Sequence, residues 1–276
     1  MYKILKKKVL AENAIEYTID APLVAKHCKG GQFIILRVDK DGERVPFTIC
    51  DYDREAGTVT ILVQTVGYST LLLSQKNEGD YIQDFAGPLG NATDLDEFKN
   101  IVLVGGGIGT AVIHPQAKEL YKANKPATII MGARNKSLLM YEDAFKAFSK
   151  ETIIMTDDGS YGGKGFVTDA LRNKLDTDKS IDCVFAVGPL PMMRAVCNLT
   201  KEYGVKTIIS MNSIMVDGTG MCGCCRLTVD GKTKYACVEG PEFDGHLVDF
   251  DEAIARSRIY REQEQEHYCN LRGEIK

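Results

Sequence analysis

The chain has 276 residues, of which 44% are hydrophobic and 26% charged, and its formal net charge is −4. That length holds two domains plus a small module, and a mildly acidic balance with no basic stripe argues against a nucleic-acid partner. No apolar run reaches membrane-spanning length, since Ile101–Val104 breaks at once into glycines.

The basic start, Met1–Lys8, is followed by no apolar segment of a secretory leader. Nine cysteines without a sign of export are therefore expected as reduced thiols in the cytoplasm. Up to about Leu89 the chain reads as short strands, with β-branched alternation at Ala14–Asp20, Phe33–Asp39, Val45–Asp51 and Thr58–Gln64 between glycine turns. Such spacing predicts a small β-barrel. Helix character is weak there except at Ser69–Leu73, and a break follows at Gly87–Asn91. From Asn100 strands and helices alternate. Strands are expected at Ile101–Val104, Ala127–Met131, Thr152–Met155 and Cys183–Val187. Helices are expected after Thr110 through Lys122, near Glu142–Ser149, over Thr168–Lys174 and from Pro191. That order predicts a parallel sheet with helices on both faces. The tail, Glu252–Glu266, reads as one charged helix.

Five stretches carry nucleotide chemistry. On a barrel strand, Arg44, Pro46, Phe47 and Thr48 offer a face for a flavin ring, a hydroxyl for its ribityl or phosphate, and a cation for pyrophosphate; a proline-bearing edge strand reads nearly as well. Gly67, Ser69 and Thr70, with Val63 and Gln64 on the strand before them, form a glycine turn opening a helix, either an anion seat or a plain N-cap. Gly106, Gly107, Ile108, Gly109 and Thr110 follow the first parallel strand without completing G-x-G-x-x-G or its acidic partner. What remains is a glycine turn at a helix N-terminus, suited to a nicotinamide pyrophosphate. The next strand leads to Gly132, Ala133 and Arg134, and the third to Asp157 and Asp158. The two aspartates suit adenosine ribose hydroxyls and favour NAD over NADP, while Arg134 pulls the other way. Gly188, Pro189 and Met192 end the fourth strand where a nicotinamide can lie, although one of Met192 and Met193 is expected in the core. His27, His114 and His267 are taken as surface or packing residues, and no nucleophile pair or paired-carboxylate acid/base site stands out.

The stretch Asp217–Cys225, closed by Cys237, governs the reading. Counting Asp217 gives Asp-x4-Cys-x2-Cys and a last cysteine twelve positions on. This is the plant-type C-x4-C-x2-C…C spacing of a [2Fe–2S] cluster with a carboxylate in the first place. Gly218, Gly220 and Gly223 let the backbone turn in on the sulfurs. The candidate ligands are Asp217, Cys222, Cys225 and Cys237; Cys224 is not counted. Zinc, a disulfide cluster and inert thiols are the competing readings. Zinc wants paired C-x2-C or histidine spacing, and His246 stands alone. Asp217 in a glycine-rich turn also reads as a turn-former.

Flavin barrel, nicotinamide domain and C-terminal cluster loop, in that order, resemble the ferredoxin-reductase superfamily over nearly the whole chain, in the branch of the dihydroorotate dehydrogenase electron-transfer subunit. Within it, Ser210–Gly223 and Cys237–His246 resemble the small subunits of NADH-dependent ferredoxin:NADP⁺ oxidoreductases, which are electron-bifurcating transhydrogenases. Asp217 separates these from the pyrimidine-pathway relatives, which carry cysteine there. The resemblance implies FAD in a barrel (1–93), NAD(H) on an α/β domain (94–209), a [2Fe–2S] module (210–250) and a helical tail (251–276). It further implies a larger partner subunit with FAD and [4Fe–4S] clusters that binds NADP(H), a heterodimer or a multiple of one, and ferredoxin reached through that partner. A sulfide dehydrogenase-type or dihydroorotate dehydrogenase-type subunit with another acceptor is the alternative. Two positions depart from the pattern. Val45 stands where the flavin motif has arginine, shifting Arg44 by one, and His114-Pro115 replaces a bulkier apolar residue.

Overall fold

A computed structural model describes residues 1–274. Its N-terminal part runs β1 (Tyr2–Ala11), β2 (Ala14–Asp20), α1 (Pro22–His27), β3 (Phe33–Arg37), β4 (Arg44–Asp53), β5 (Thr58–Gln64), α2 (Tyr68–Ser74), β6 (Tyr81–Ile82) and β7 (Asp84–Leu89). These strands form one antiparallel sheet in the order β6-β1-β2-β5-β4-β3-β7. A single segment nearly closes it into a barrel: β6 pairs with β1, and β7, one residue later, pairs with β3. Between them the Gln83 amide donates to the carbonyls of Arg37 and Val38 at 3.1 and 3.2 Å. Alternating residues of these strands, among them Tyr17, Ile34, Leu36, Ile49 and Ile61, fill the interior.

Strands β2 and β5 coincide with their expected spans, and β3 and β4 differ from theirs only at the ends. β1 was not foreseen. Its run of lysines hides the apolar face, and register shifts at Ile4/Lys6 and Val9/Ala11 break the two-residue period. The expected break at Gly87–Asn91 instead begins inside β7, where a register shift against β3 accommodates Pro88.

The second part runs β8 (Ile101–Gly106), α3 (Gly109–Lys122), β9 (Thr128–Ala133), α4 (Glu142–Phe148), β10 (Glu151–Thr156), β11 (Gly163–Lys164), α5 (Val167–Thr177), β12 (Cys183–Val187), α6 (Leu190–Tyr203) and β13 (Lys206–Ser210). A hairpin of β14 (Arg226–Val229) and β15 (Lys232–Tyr235), then α7 (Ala236–Glu239), β16 (Glu242–Asp244), α8 (Phe250–Arg256) and α9 (Arg261–Glu274), complete the chain. The second sheet has the order β11-β10-β9-β8-β12-β13-β16. It is parallel except for β16, which the cluster segment contributes antiparallel to β13. The winding reverses between β8 and β12, leaving a crevice at their C-terminal ends.

The tail is two helices, not one. Ser257 turns its hydroxyl back to the Ile254 carbonyl at 2.8 Å, and i→i+3 bonds over 255–261 break the α-helical run. This turn redirects α9 toward α2, where His267 meets the Tyr68 ring edge-on at 6.2 Å.

The parts share surfaces tightly. α3 docks on β4 through Lys118–Asp51 at 2.7 Å and through the Tyr52 hydroxyl donating to Glu119 at 2.9 Å. His114 is a packing residue: it is buried, stacks on Tyr141 at 5.1 Å and contacts the Cys50 carbonyl at 3.0 Å. One continuous buried cluster includes Phe33 and Ile35 of the barrel, Val184 and Ala186 of the second sheet, and Cys225 and Cys237.

Glu242 stands where all three parts meet. Thr93 donates to its carboxyl at 2.5 Å, and a Cβ on Gly31 would come within 2.7 Å of the same oxygen. Burial raises this carboxyl to about 7 against the opposing pull of the Thr93 hydroxyl. A carboxyl raised on folding binds more protons folded than unfolded, so stability falls as pH rises from the ordinary glutamate range to about 7. We expect Glu242→Gln to abolish this slope and to gain stability at pH 8, by at most about 3 kcal/mol. Chemical denaturation of both proteins from pH 5 to 8 checks it.

Candidate metal and nucleotide site

The loop that opens at Asp217 is shaped by its own carboxylate. Asp217 Oδ1 accepts from the Thr219 amide at 3.0 Å; Oδ2 accepts from the Thr219 hydroxyl at 3.1 Å and from the Met221 and Cys222 amides at 2.9 and 3.4 Å. These donors, the Thr219 amide foremost, hold the carboxyl below the usual aspartate range. Gly218 has φ +82°, and a Cβ there would fall 2.7 Å from Leu89 and 2.8 Å from Ile35. The loop backbone therefore lies flat on β3 and β7, which only glycine allows.

The hairpin sets the other end. Its register pairs Arg226 with Tyr235, and the Ala236 amide donates to the Cys225 carbonyl at 3.2 Å. Cys237, at the start of α7, is thereby delivered to Cys225. Their sulfurs lie 3.2 Å apart, both buried, and the Cys237 amide points at the Cys225 sulfur at 3.5 Å. Burial, then the neighbouring Cys225 thiol, pushes Cys237 up to about 12, while the Gly220 amide opposes. Cys222 is exposed. What burial it has disfavours its thiolate, but the Cys224, Asp217 and Val216 amides prevail and lower its pKa. Cys224, half-buried, lines a cavity of about 230 Å³ with Leu190, Ile214, Cys222, Arg256 and Tyr260.

The donor set suits a sulfur-ligated iron centre: three soft thiols, one carboxylate, and amides turned toward the sulfurs. The structure brings Cys225 and Cys237 together. Asp217 and Cys222 stand at the outer lip, the carboxylate bonded to loop amides, and among the described residues no three candidate ligands form a metal-holding group. His246, 2.9 Å from the Thr200 hydroxyl, is spent elsewhere.

Along β4, Pro46 and Thr48 are half-exposed, with Pro46 paired to Ile35, whereas Phe47, paired to Ile34, packs against the barrel core. Arg44 bonds to the cluster loop. Its Nε donates to the Val216 carbonyl at 2.8 Å and its Nη2 to that of Asp217 at 3.4 Å. Val63 is wholly buried in the barrel, whereas Gln64 is half-exposed. At α2 the Thr70 hydroxyl takes the Val66 and Gly67 amides at 3.0 Å each, and Ser69 donates to Glu43 at 2.7 Å. Both hydroxyls are thus used within the fold, and the turn keeps backbone amides to offer.

At the sheet reversal, Gly109 packs against the Val187 carbonyl, and the buried Thr110 hydroxyl donates to the Gly107 carbonyl at 2.8 Å. Met193 is core, as expected of one of the pair, and half-buried Met192 lies across Gly106 and Gly188. Pro189, beside it, is exposed. Gly132 packs on Val167, and the Asp157 and Asp158 amides donate to the Ala133 and Arg134 carbonyls at 3.1 and 3.2 Å. Arg134, Asp157 and Asp158 accordingly form one exposed polar edge beyond β9 and β10. Ile108 is half-exposed in the crevice. Sequence pattern did not single out Ile35, Leu89 or Met221 for the site; Ile35 reads as a strand residue and Leu89 as part of a break, and their partner lies more than a hundred residues away.

Comparison with known proteins agrees with this layout. The family described as the iron–sulfur cluster binding domain of dihydroorotate dehydrogenase B matches residues 212–249, and the oxidoreductase NAD-binding domain matches 103–198. A Thermotoga maritima homolog of the dihydroorotate dehydrogenase B (NAD(+)) electron transfer subunit is 46% identical over 96% of this chain and 94% of its own length. The Bacillus caldolyticus electron transfer subunit is 34% identical over 87% and 94%. A chain from the structure of an NADH-dependent reduced ferredoxin–NADP oxidoreductase, solved to study flavin-based electron bifurcation, superposes with a TM-score of 0.92 at 44% identity, covering 98% of both chains.

The seat of Gly218 gives a direct expectation. Gly218→Ala strains a positive φ and collides with two packed side chains, at a cost of about 1–3 kcal/mol. Urea denaturation should show it, and a stability within error of the parent would contradict the close approach.

Proposed function

The chain belongs to the family of dihydroorotate dehydrogenase B electron-transfer subunits, and from that premise we propose that it is the small subunit of a flavin-based, electron-bifurcating NADH-dependent ferredoxin:NADP⁺ oxidoreductase. The observation that carries this is the Asp217–Cys237 loop seated on β3 and β7 and bonded by Arg44 of β4, on a chain similar end to end to one from such an enzyme. FAD, when bound, exchanges a hydride with NAD(H) and passes electrons singly to a [2Fe–2S] cluster. The protein's own residues position these groups.

Asp217, Cys222, Cys225 and Cys237 would hold the cluster, and the seat on Ile35 and Leu89 fixes the Asp217 end of their loop. Pro46, Phe47 and Thr48 would support the flavin, with Gln64 and the amides that open α2 closing its far side. Within the turn Gly107–Thr110, whose end amides are bonded internally, Ile108 and Gly109 would present amides to nicotinamide-dinucleotide pyrophosphate, Asp157 and Asp158 would take the adenosine ribose, and Met192 would floor the nicotinamide between Gly106 and Gly188.

The larger partner would carry the second flavin, the [4Fe–4S] clusters and the NADP(H) site, and ferredoxin would be reached through it. Outside the loop, Cys28, Cys50, Cys183 and Cys197 are buried in separate places and Cys269 lies exposed on α9, so among the described residues no second group of cysteines is gathered for such clusters. The apolar rim of the loop suits docking: Met221 is 90% exposed, Val238 47% and Val216 40%.

Anaerobic purification with iron, sulfide, flavin and subunit analysis tests the proposal. Iron and sulfide in equal amount, FAD, and a co-purifying larger iron–sulfur flavoprotein are expected; zinc, or a colourless protein, would defeat it. Asp217→Cys should retain iron and sulfide yet shift the midpoint of the cluster, and an unchanged potentiometric titration would remove the tuning role of the carboxylate. Met221→Glu should weaken the complex about tenfold or more in a titration calorimeter, through loss of a central apolar contact.

A further inference from the structure

We infer that Arg44 is a positioning residue for the cluster loop, clamping the Asp217 end onto β4 and placing a fixed positive charge beside it, and is not the anchor of the flavin pyrophosphate. The inference rests on the proposed cluster, but its geometry belongs to the chain alone.

Glu43, the residue before β4, turns to α2 and accepts from Ser69 at 2.7 Å. Arg44, the first residue of β4, is taken up by the cluster loop instead. Its guanidinium reaches the Val216 and Asp217 carbonyls, 172 and 173 residues away in sequence. A planar fork with several donors suits two successive carbonyls in a way the single ammonium of lysine does not. The clamp acts one residue before Gly218, whose backbone is already pressed on Ile35 and Leu89. Two contacts on adjoining residues fix both the height and the rotation of the loop. The Asp217 side chain, bonded to the amides that follow it, turns with that backbone.

The charge has a separate effect. A cation held beside a centre that gains an electron favours the reduced form, and half-burial limits its screening. Removing it makes the cluster harder to reduce.

Arg44→Gln and Arg44→Lys, purified anaerobically, test both roles. For Arg44→Gln we expect iron, sulfide and FAD at wild-type stoichiometry, a more negative cluster midpoint, and hydrogen exchange at residues 217–222 at least about fivefold faster. Arg44→Lys should loosen the loop in the same direction while keeping the midpoint close to wild type. Loss of FAD from Arg44→Gln with an unchanged midpoint would overturn the inference and return Arg44 to the flavin. Unchanged exchange in both variants would overturn the clamp. A wild-type protein lacking iron and sulfide would instead sink the functional reading, while the exchange comparison would still decide the clamp.

Discussion

The structure depends on a close approach: the backbone at Gly218 lies on hydrocarbon from β3 and β7 with no room for a side chain. The placing of the loop around Asp217 follows from that seat. The loop cannot lift without exposing Ile35 and Leu89, and it cannot slide without losing the Arg44 bonds to Val216 and Asp217. From below, the same buried cluster that holds Phe33 and Ile35 reaches Cys225 and Cys237. A redox loop built this way belongs to the barrel as much as to the segment that encodes it.

This integration bears on how a relay works. Electron transfer between two bound groups requires a short separation that does not fluctuate, and packed interiors provide it better than flexible linkers do. Here the strand bearing Pro46, Phe47 and Thr48 is paired with Ile35, the residue on which Gly218 rests. The crevice between β8 and β12 lies in the domain that α3 fastens to β4. Fold resemblance alone would license only a reductase-like architecture. The proposed ligand set and its seat on β3 and β7 carry the functional reading further.

Local pattern carried much of this and failed where the constraint was distant. Alternation located β2, β5 and β12 to the residue, because each buries one face or both within its own sheet. It missed β1, whose lysines and bulges conceal the period, and β13, too short and polar at its start to announce itself. The tail read as one helix because its charges run on through the Ser257–Tyr260 turn. Asp217 became visible only when counted with the cysteines. Arg44 reads from the sequence as a cation for a pyrophosphate; the carbonyls it grips are far off in sequence, and no spacing rule joins them. Glu242 escaped notice for the same reason: its burial is made by Gly31 and Thr93.

The central claim is that this loop holds a two-iron cluster in electronic reach of a flavin. Low-temperature electron paramagnetic resonance on the anaerobically purified, dithionite-reduced protein tests it most directly. The account predicts about one unpaired electron per chain in a spin-one-half iron–sulfur signal, silent in the oxidised protein. A spin-silent reduced sample with stoichiometric zinc, or with neither metal nor sulfide, would contradict it.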